Sequence, residues 1–99
     1  MASFQIEYYP RASKDLEKLR DPQEAVRLID EIGKELSMNP FPNPPRKKRI
    51  QGISWPLFRL RIDTAKDSYR AFYAFRESRV IVLRVIKKKD AEKIIRSFR

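Results

Sequence analysis

The chain has 99 residues, of which 41% are hydrophobic and 36% are charged, and its formal net charge is +10 at pH 7. A domain of this length can bury a core without disulfides or a structural metal. The sequence contains no cysteine and no histidine, which excludes disulfides, thiol nucleophiles, zinc sites and histidine acid–base chemistry. The excess of lysine and arginine predicts a polyanionic partner, and nucleic acid is a more common one than a membrane surface. The alternative is a basic surface that only aids solubility.

The chain begins with a predicted strand and a predicted helix. Residues 4–8 alternate between apolar and polar side chains, which predicts a short strand that ends before Pro10. Residues 12–19 carry their apolar side chains at helical spacing, with lysines and an aspartate on the other side. We expect these segments to cover one face of a sheet that is formed later in the chain.

A second helix has clear start and stop signals. Asp21 is a predicted cap, Pro22 suits the first helical position, and Glu24 stands where a capping box has its carboxylate. The helix is predicted to end before Asn39-Pro40. Apolar residues at steps of three and four predict its buried stripe, which consists of Val26, Ile29, Ile32 and Leu36, widened by Leu28.

A proline-rich connector, Phe41–Pro45, leads into a run of basic residues. The connector is expected to be extended, because proline and the residue before it disfavour helix. The run consists of Arg46, Lys47, Lys48 and Arg49. Its position directly before the predicted sheet favours one continuous electropositive surface over a merely solvated loop or strand edge, and we predict that the run binds RNA.

Three later segments alternate with a period of two and predict the main strands. They are Phe58–Ile62, Ser68–Phe75 and Val80–Ile86. In these segments Arg59, Arg61 and Arg70 lie opposite the apolar positions, whereas Tyr69 and Tyr73 share the apolar face and are predicted to be core residues. This pattern predicts a sheet with one buried face and one solvent-exposed face, on which guanidinium groups form a platform for an anion.

The chain ends with basic residues and a predicted amphipathic helix. Lys87, Lys88 and Lys89 follow the last strand, and Asp90 is a plausible helix cap. The apolar stripe of this helix is Ala91, Ile94, Ile95 and Phe98. The helix either packs on its own sheet or is mobile. No apolar stretch is long enough to span a bilayer and no apolar leader begins the chain, so we expect a cytoplasmic protein without a membrane partner.

The order and spacing of these segments resemble the RelE/ParE superfamily of bacterial and archaeal toxins. The resemblance is carried by Ala12–Leu19, Leu36–Pro40, Ile50–Gly52, Phe58–Ile62 and Ser68–Tyr73. It implies a single α+β domain over residues 1–99 with a small RelE-like fold. In that fold a twisted, mainly antiparallel four-stranded sheet carries two N-terminal helices on one face and is followed by a C-terminal helix, in the order β-α-α-β-β-β-α.

The resemblance implies one of two activities and a set of site residues. RelE-type members cleave mRNA in the ribosomal A site and ParE-type members poison DNA gyrase, and a cognate antitoxin holds both inactive. Arg59 and Arg61 match the paired basic positions of the family's second strand, which is Phe58–Ile62 here, and Arg70 matches the arginine of its tyrosine-arginine pair. Lys88 matches the later basic position after the fourth strand, where arginine is usual. The family's C-terminal tyrosine has no match here, because Glu92 or Ile94 occupies the region.

Of the two activities that the resemblance implies, we predict the ribosome-dependent mRNA endonuclease, although the missing tyrosine and the C-terminal helix favour the gyrase inhibitor somewhat. Such cleavage needs neither a metal nor a cofactor if the 2′-hydroxyl of the RNA attacks the adjacent phosphate. Arginine grips phosphate bidentately, so Arg70 is expected to hold the scissile group, while the other predicted catalytic residues and the RNA-binding residues Lys87 and Lys89 add positive charge. Proton transfer then requires a cation with a depressed pKa, a tyrosine, or a carboxylate, and the carboxylates considered are Asp63, Asp67 and Glu77. Two alternatives remain open: a gyrase inhibitor without catalysis, and a basic RNA-binding module in which the arginines only pair with carboxylates across the sheet.

Overall fold

A computed structural model describes residues 3–99. The chain forms strand β1 (Gln5–Tyr8), helices α1 (Pro10–Glu17) and α2 (Pro22–Met38), strands β2 (Lys47–Arg49), β3 (Phe58–Asp63), β4 (Ser68–Arg76) and β5 (Arg79–Lys87), a 3₁₀ turn (Lys88–Asp90) and helix α3 (Ala91–Ser97). The sheet has the strand order β1-β5-β4-β3-β2, in which β1 pairs parallel with β5 and the other pairs are antiparallel. None of the helices within residues 3–99 is long and apolar enough to cross a membrane.

The predicted α+β fold and element order are confirmed, but the sheet has five strands and not four. The additional strand is β2, which lies within the basic run and pairs with β3. Asn43 and Lys47 exchange backbone hydrogen bonds of 2.7 and 3.2 Å, which turns the end of the proline-rich connector into the sheet edge. A three-residue strand of basic residues has no alternating apolar signal, so the sequence pattern did not predict it.

Helices α1 and α2 cover one face of the sheet, as predicted. The main core between them contains the buried side chains Ala12, Leu16, Leu28, Ile32, Leu36, Phe58, Leu60, Ile62, Tyr69, Ala71, Tyr73, Val80, Val82 and Val85. The predicted core positions of Tyr69 and Tyr73 are therefore confirmed.

The predicted buried stripe of α2 is wrong at its N-terminal half. Val26 and Ile29 are 56% and 43% exposed, and the carboxylate residue Glu24 is buried in their place. Glu24 Oε2 accepts hydrogen bonds from Thr64 Oγ1 at 2.6 Å and from the Tyr69 hydroxyl at 3.0 Å. These two donors compensate for the burial of the carboxylate, which links α2 to the β3–β4 hairpin instead of forming a capping box. Asp21 caps the helix as predicted, since its Oδ1 accepts from the backbone N–H of Gln23 at 2.9 Å.

The opposite face of the sheet is only partly open to solvent, which corrects the predicted one-sided burial. A second core lies there, made of Ile50, Ile53, Leu57 and Phe72. Helix α3 packs on this core through Ile94, Ile95 and Phe98, so the C-terminal helix covers part of its own sheet. The reason lies in the apolar residues of β4 and β5 that share the arginine face, because they give α3 a surface on which to bury its stripe.

A partly buried ion pair anchors the strand that leads to α3. Strand β1 pairs with β5 only as far as Val82, which leaves later backbone groups of β5 at a free edge. Asp15 of α1 accepts a hydrogen bond from the backbone N–H of Val85 at 2.9 Å and two from the guanidinium of Arg84 at 2.8 and 2.9 Å. One carboxylate thus replaces the missing strand and fixes the end of β5, which carries Lys88 and α3.

Candidate functional site: a basic groove beside the C-terminal helix

A groove with a volume of ≈ 730 Å³ lies between α3 and the edge of the sheet formed by β2, β3 and β4. We call it the basic groove. Its lining consists of Pro45, Lys48, Arg49, Ile50, Gln51, Arg59, Arg61, Arg70, Lys88, Ala91, Glu92, Ile95 and Arg99. The four predicted catalytic residues are therefore brought together, although they come from two strands and the turn before α3.

Arg59 and Arg70 lie at the floor of the groove and are largely buried, with only 9% and 7% of their surfaces exposed. Nη2 of Arg59 donates to the carbonyl of Pro45 at 3.2 Å, and Nη1 of Arg70 donates to the carbonyl of Tyr69 at 2.9 Å. Nε of Arg59 has no hydrogen-bond partner among the described residues. Backbone carbonyls orient both guanidinium groups without neutralising them, so their positive charge is available to a ligand.

The electrostatic cost of this arrangement is visible in the pKa values. Burial lowers the pKa of Arg59, and the charges of Arg70 and Arg61 lower it further. Burial also lowers the pKa of Arg70, with a second contribution from Arg61. Burial and the neighbouring charges destabilise both groups as cations, and a bound anion would reduce that penalty.

The strand register places like charges directly opposite each other twice in succession. Lys48 of β2 pairs with Arg59 of β3, and Arg61 of β3 pairs with Arg70 of β4. Like charges at directly opposed positions destabilise an antiparallel sheet, so neighbouring pairs of this kind are unfavourable for the fold alone. An acidic partner across the sheet, the alternative proposed for these arginines, is not what the register provides.

Arg61 is the most accessible of the three strand arginines and has one weak carboxylate contact. Its Nη2 lies 3.9 Å from Oδ2 of Asp63, and 40% of its side chain is exposed. The pKa of Asp63 is lowered chiefly by a hydrogen bond with Ser68 and then by Arg61. Asp63 thus partly neutralises the positive charge of Arg61 at the rim of the groove. The alternative salt bridge between Arg70 and Asp63 or Asp67 does not form among the described residues.

The basic run divides between two sides of the sheet. Lys48 and Arg49 line the basic groove. Arg46 instead contacts Glu31 at 2.7 Å and Glu35 at 3.4 Å. Lys47 is buried and its Nζ donates to the carbonyl of Asn39 at 2.7 Å. Successive side chains of a strand point to opposite faces, which explains why Lys47 and Lys48 differ.

Lys87 and Lys89 do not line the basic groove. Nζ of Lys87 lies 3.3 Å from Oδ2 of Asp67. Both lysines line a separate depression beside the end of α1, together with Lys18 and Asp15. The described lining of the groove therefore includes neither these two lysines nor Arg46 and Lys47. That these four residues bind RNA stays a prediction.

The C-terminal segment adds two charged groups that the sequence analysis did not assign to the site, Glu92 in α3 and Arg99 after the end of the helix. Gly52 has a φ of +81°, which glycine adopts without strain, and its missing Cβ would lie 3.5 Å from Nη2 of Arg99. The guanidinium of Arg99 therefore packs closely over the backbone at Gly52. The available signal was the spacing of three and four residues between Glu92, Ile95 and Arg99, which follows the border of the apolar stripe at Ile95.

The candidates for proton transfer lie mostly outside the groove. The hydroxyl of Tyr73 donates to the carbonyl of Pro40 at 2.7 Å and that of Tyr69 donates to Glu24, both on the side of the sheet that α1 and α2 cover. Burial, followed by the hydrogen bond with Glu24, raises the pKa of Tyr69 to about 12. No group of three or more metal-ligating side chains occurs within residues 3–99.

Comparison with known proteins places this chain in a family. The family model described as the ParE toxin of type II toxin-antitoxin systems, parDE, matches residues 6–92. The chain therefore belongs to this family, within the RelE/ParE superfamily, and is a toxin of a type II toxin–antitoxin system.

A solved structure supports the same fold. The toxin–antitoxin complex RelBE2 from Mycobacterium tuberculosis contains a chain that superposes with a TM-score of 0.69 at 23% sequence identity, covering 88% of this chain and 100% of that chain. At this identity the likeness establishes the fold and not a mechanism. A search of curated proteins found no match.

Proposed function

We propose that this toxin is a metal-independent, ribosome-dependent mRNA endonuclease that inhibits translation. The observation that carries the proposal is the double cross-strand pairing of like charges, Lys48 with Arg59 and Arg61 with Arg70. A sheet that opposes cations in this way is stabilised by a phosphate bound between them, and RNA supplies phosphates at regular intervals. Single-stranded RNA in the ribosomal A site fits an open groove better than a duplex does.

The proposed chemistry is an attack of the ribose 2′-hydroxyl on the adjacent phosphate. Arg70 holds the scissile phosphate, because a fixed guanidinium can donate two parallel hydrogen bonds to phosphoryl oxygens. Arg59 and Arg61 stabilise the charge that develops on those oxygens, and Lys88 adds a cation from the α3 side of the groove. The groove supplies these charges already oriented, so the reaction needs little reorganisation of the protein.

We also propose a cognate antitoxin as the protein partner. The solved neighbour is a complex of a toxin with an antitoxin. The net charge of +10 favours an acidic partner segment, which folds on the toxin as it binds. The cytoplasm, where ribosomes and mRNA meet, is the compartment in which this pair would act.

A second candidate function is inhibition of DNA gyrase without catalysis. It is favoured by the description of the matching family as the ParE toxin. It is also favoured by the groove, whose described lining contains neither a tyrosine nor a histidine as a proton donor or acceptor. In this alternative the basic groove would bind an acidic surface or DNA, and its arginines would contribute to affinity only.

Replacement of Arg70 tests the proposed endonuclease. We expect Arg70→Ala to lower the rate of mRNA cleavage by roughly 10²–10³, the scale for removing one preorganised oxyanion donor. Ribosome binding should fall much less, because the interaction is realised mainly in the transition state. Arg70→Lys should restore little, since an ammonium cannot donate the two parallel hydrogen bonds. The measurement is primer extension on mRNA in stalled ribosomes.

Arg46→Ala is the matched control, because Arg46 pairs with Glu31 and Glu35 and does not line the groove. It should retain nearly the full cleavage rate. Equal losses in Arg70→Ala and Arg46→Ala would mean that total charge, and not the groove, determines activity. Cleavage that Arg70→Ala leaves unchanged would contradict the assignment of the scissile phosphate to this site.

A further inference from the structure

The proposed cleavage requires a proton acceptor, and the described lining of the basic groove contains no tyrosine or histidine that could serve as one. The described lining contains one carboxylate, and it belongs to Glu92 in the first turn of α3. None of the three carboxylates considered from the sequence belongs to the described lining of the groove. Asp67 contacts Lys87 and Glu77 lies in the β4–β5 turn, whereas Asp63 lies at the rim of the groove, 3.9 Å from Arg61, and lines a depression on the α2 side of β3.

The position of Glu92 on α3 directs it to the groove and not to the core. Glu92, Ile95 and Arg99 all line the groove, and Ile95 also packs on the second core together with Ile94 and Phe98. Packing of these three apolar residues therefore fixes the orientation of the helix. Glu92 is exposed, and the ion pairs formed within residues 3–99 engage other carboxylates, including Asp63 and Asp67.

We propose that Glu92 is the general base of the cleavage reaction, a proposal that rests on the endonuclease function. The carboxylate accepts the proton of the 2′-hydroxyl while the O2′–P bond forms and the P–O5′ bond breaks. The leaving 5′-oxygen takes a proton from water, and the hydroxide produced is neutralised by the proton that Glu92 accepted. The products are a 2′,3′-cyclic phosphate and a 5′-hydroxyl, and no oxidant, reductant or metal is consumed.

The surrounding cations suit this role in two ways. Lys88 lies four residues before Glu92, and both line the groove that contains Arg59, Arg61 and Arg70. A carboxylate in a cationic groove also repels RNA locally, which makes it a poor choice for binding alone. A residue that weakens ground-state binding yet assists the transition state is expected to affect the rate constant and not the affinity.

The test is the pH dependence of single-turnover cleavage by wild-type protein, Glu92→Gln and Glu92→Asp on programmed ribosomes. We expect Glu92→Gln to lose roughly 10²-fold in rate, the lower end for a general base, with RNA affinity unchanged or slightly improved. The acid limb of the pH–rate profile, which reports ionisation of the base, should disappear in Glu92→Gln and return in Glu92→Asp. Glu17→Gln is the control, because Glu17 is also an exposed helical glutamate and lies outside the groove.

The possible outcomes separate this inference from the function on which it rests. If the wild type cleaves mRNA and Glu92→Gln cleaves it at the same rate and with the same acid limb, Glu92 is not the general base. The endonuclease function then still stands. A wild type that does not cleave RNA overturns both. Loss of rate with an unchanged acid limb also overturns the role of general base, because a structural effect would not remove one ionisation.

Discussion

At the scale of single residues, the site is defined by cations that the fold holds in unfavourable positions. Arg59 and Arg70 are largely buried and are oriented by backbone carbonyls, and each faces another cation across the sheet. A buried guanidinium without a carboxylate partner lowers stability. Retaining several of them in one groove is the pattern expected where stability is exchanged for ligand binding.

Burial of two tyrosines predicts how the stability of the protein changes at alkaline pH. Burial raises the pKa of Tyr8 and that of Tyr69 to about 12 each, above the value near 10 of an unfolded chain. Below pH 10 both states keep these protons and the stabilisation is complete. As the pH rises from about 10 to about 12, the unfolded chain releases protons that the folded protein retains, so the free energy of unfolding falls.

Spectrophotometric titration of phenolate absorbance, combined with urea denaturation across this pH range, measures the effect. Tyr69→Phe should have a shallower alkaline loss of stability than the wild type, because it removes one of the shifted groups. Ionisation of Tyr69 near pH 10 in the folded protein would show that its hydroxyl is accessible to solvent. The conclusion that Tyr69 takes no part in proton transfer in the groove would then be wrong.

At the scale of secondary-structure elements, α3 is the wall on which the site depends. It packs on the second core through Phe98, whose ring lies 5.9 Å from that of Trp55 and 5.9 Å from that of Phe72. The helix has only seven residues and is therefore too short to be stable without this contact. Its docking determines where Glu92 and Arg99 lie.

We therefore expect Phe98→Ala to reduce the free energy of unfolding by about 1–2 kcal/mol, less than the ~3–5 kcal/mol of a fully buried phenylalanine. It should also lower the cleavage rate more than this stability loss explains, because the α3 wall would no longer be fixed. Urea denaturation and cleavage at a temperature where the variant is folded measure the two effects. Met38→Ala is the control, since Met38 is 64% exposed at the end of α2. Full activity of Phe98→Ala would show that the groove does not require a docked α3.

The elements also show what the sequence could and could not predict. Alternation of apolar residues identified β3, β4 and β5, and start and stop signals identified α2, because these features depend on neighbours along the chain. The buried face of α2 was misplaced because Glu24 is buried through hydrogen bonds with Thr64 and Tyr69, which are distant in sequence. Strand β2 was missed because a cationic edge strand depends on its pairing partner, and no local pattern reports that partner.

The site shows the same division between local and long-range information. The alternation of Arg59 and Arg61 with apolar residues correctly placed both side chains on one face of β3. The division of the basic run into groove and non-groove residues depended on contacts with α2 and its C-terminal end, namely those of Arg46 with Glu31 and Glu35 and that of Lys47 with the carbonyl of Asn39. The entry of Glu92 and Arg99 into the groove depended on how α3 docks, which no property of residues 91–99 alone determines.

At the scale of the whole molecule, the cations behind the net charge of +10 differ in their surroundings, because some line the basic groove and others pair with carboxylates. Lys48 and Arg49 line the groove, whereas Arg46 is engaged with Glu31 and Glu35. Each phosphate that a protein cation neutralises on single-stranded RNA contributes about −0.7 to the slope of log K against log salt concentration. We expect Lys48→Ala and Arg49→Ala each to make the slope shallower by about 0.7, and Arg46→Ala to leave it unchanged.

The measurement is a salt titration of the affinity for a single-stranded RNA oligonucleotide, with all variants at matched concentration. Equal effects of Arg46→Ala and Arg49→Ala would indicate diffuse binding over the basic surface. An affinity of the wild type that barely changes with salt would contradict the groove as an anion site, whatever the activity of the toxin.

The most direct test of the central claim compares the two activities of this superfamily on one preparation of wild-type protein. Primer extension on mRNA in stalled ribosomes and supercoiling by DNA gyrase are measured in parallel, with Arg70→Ala as the control in both assays. We predict cleaved mRNA, unaffected supercoiling, and loss of cleavage in Arg70→Ala. Intact mRNA together with blocked supercoiling would contradict the account and assign the basic groove to a gyrase inhibitor.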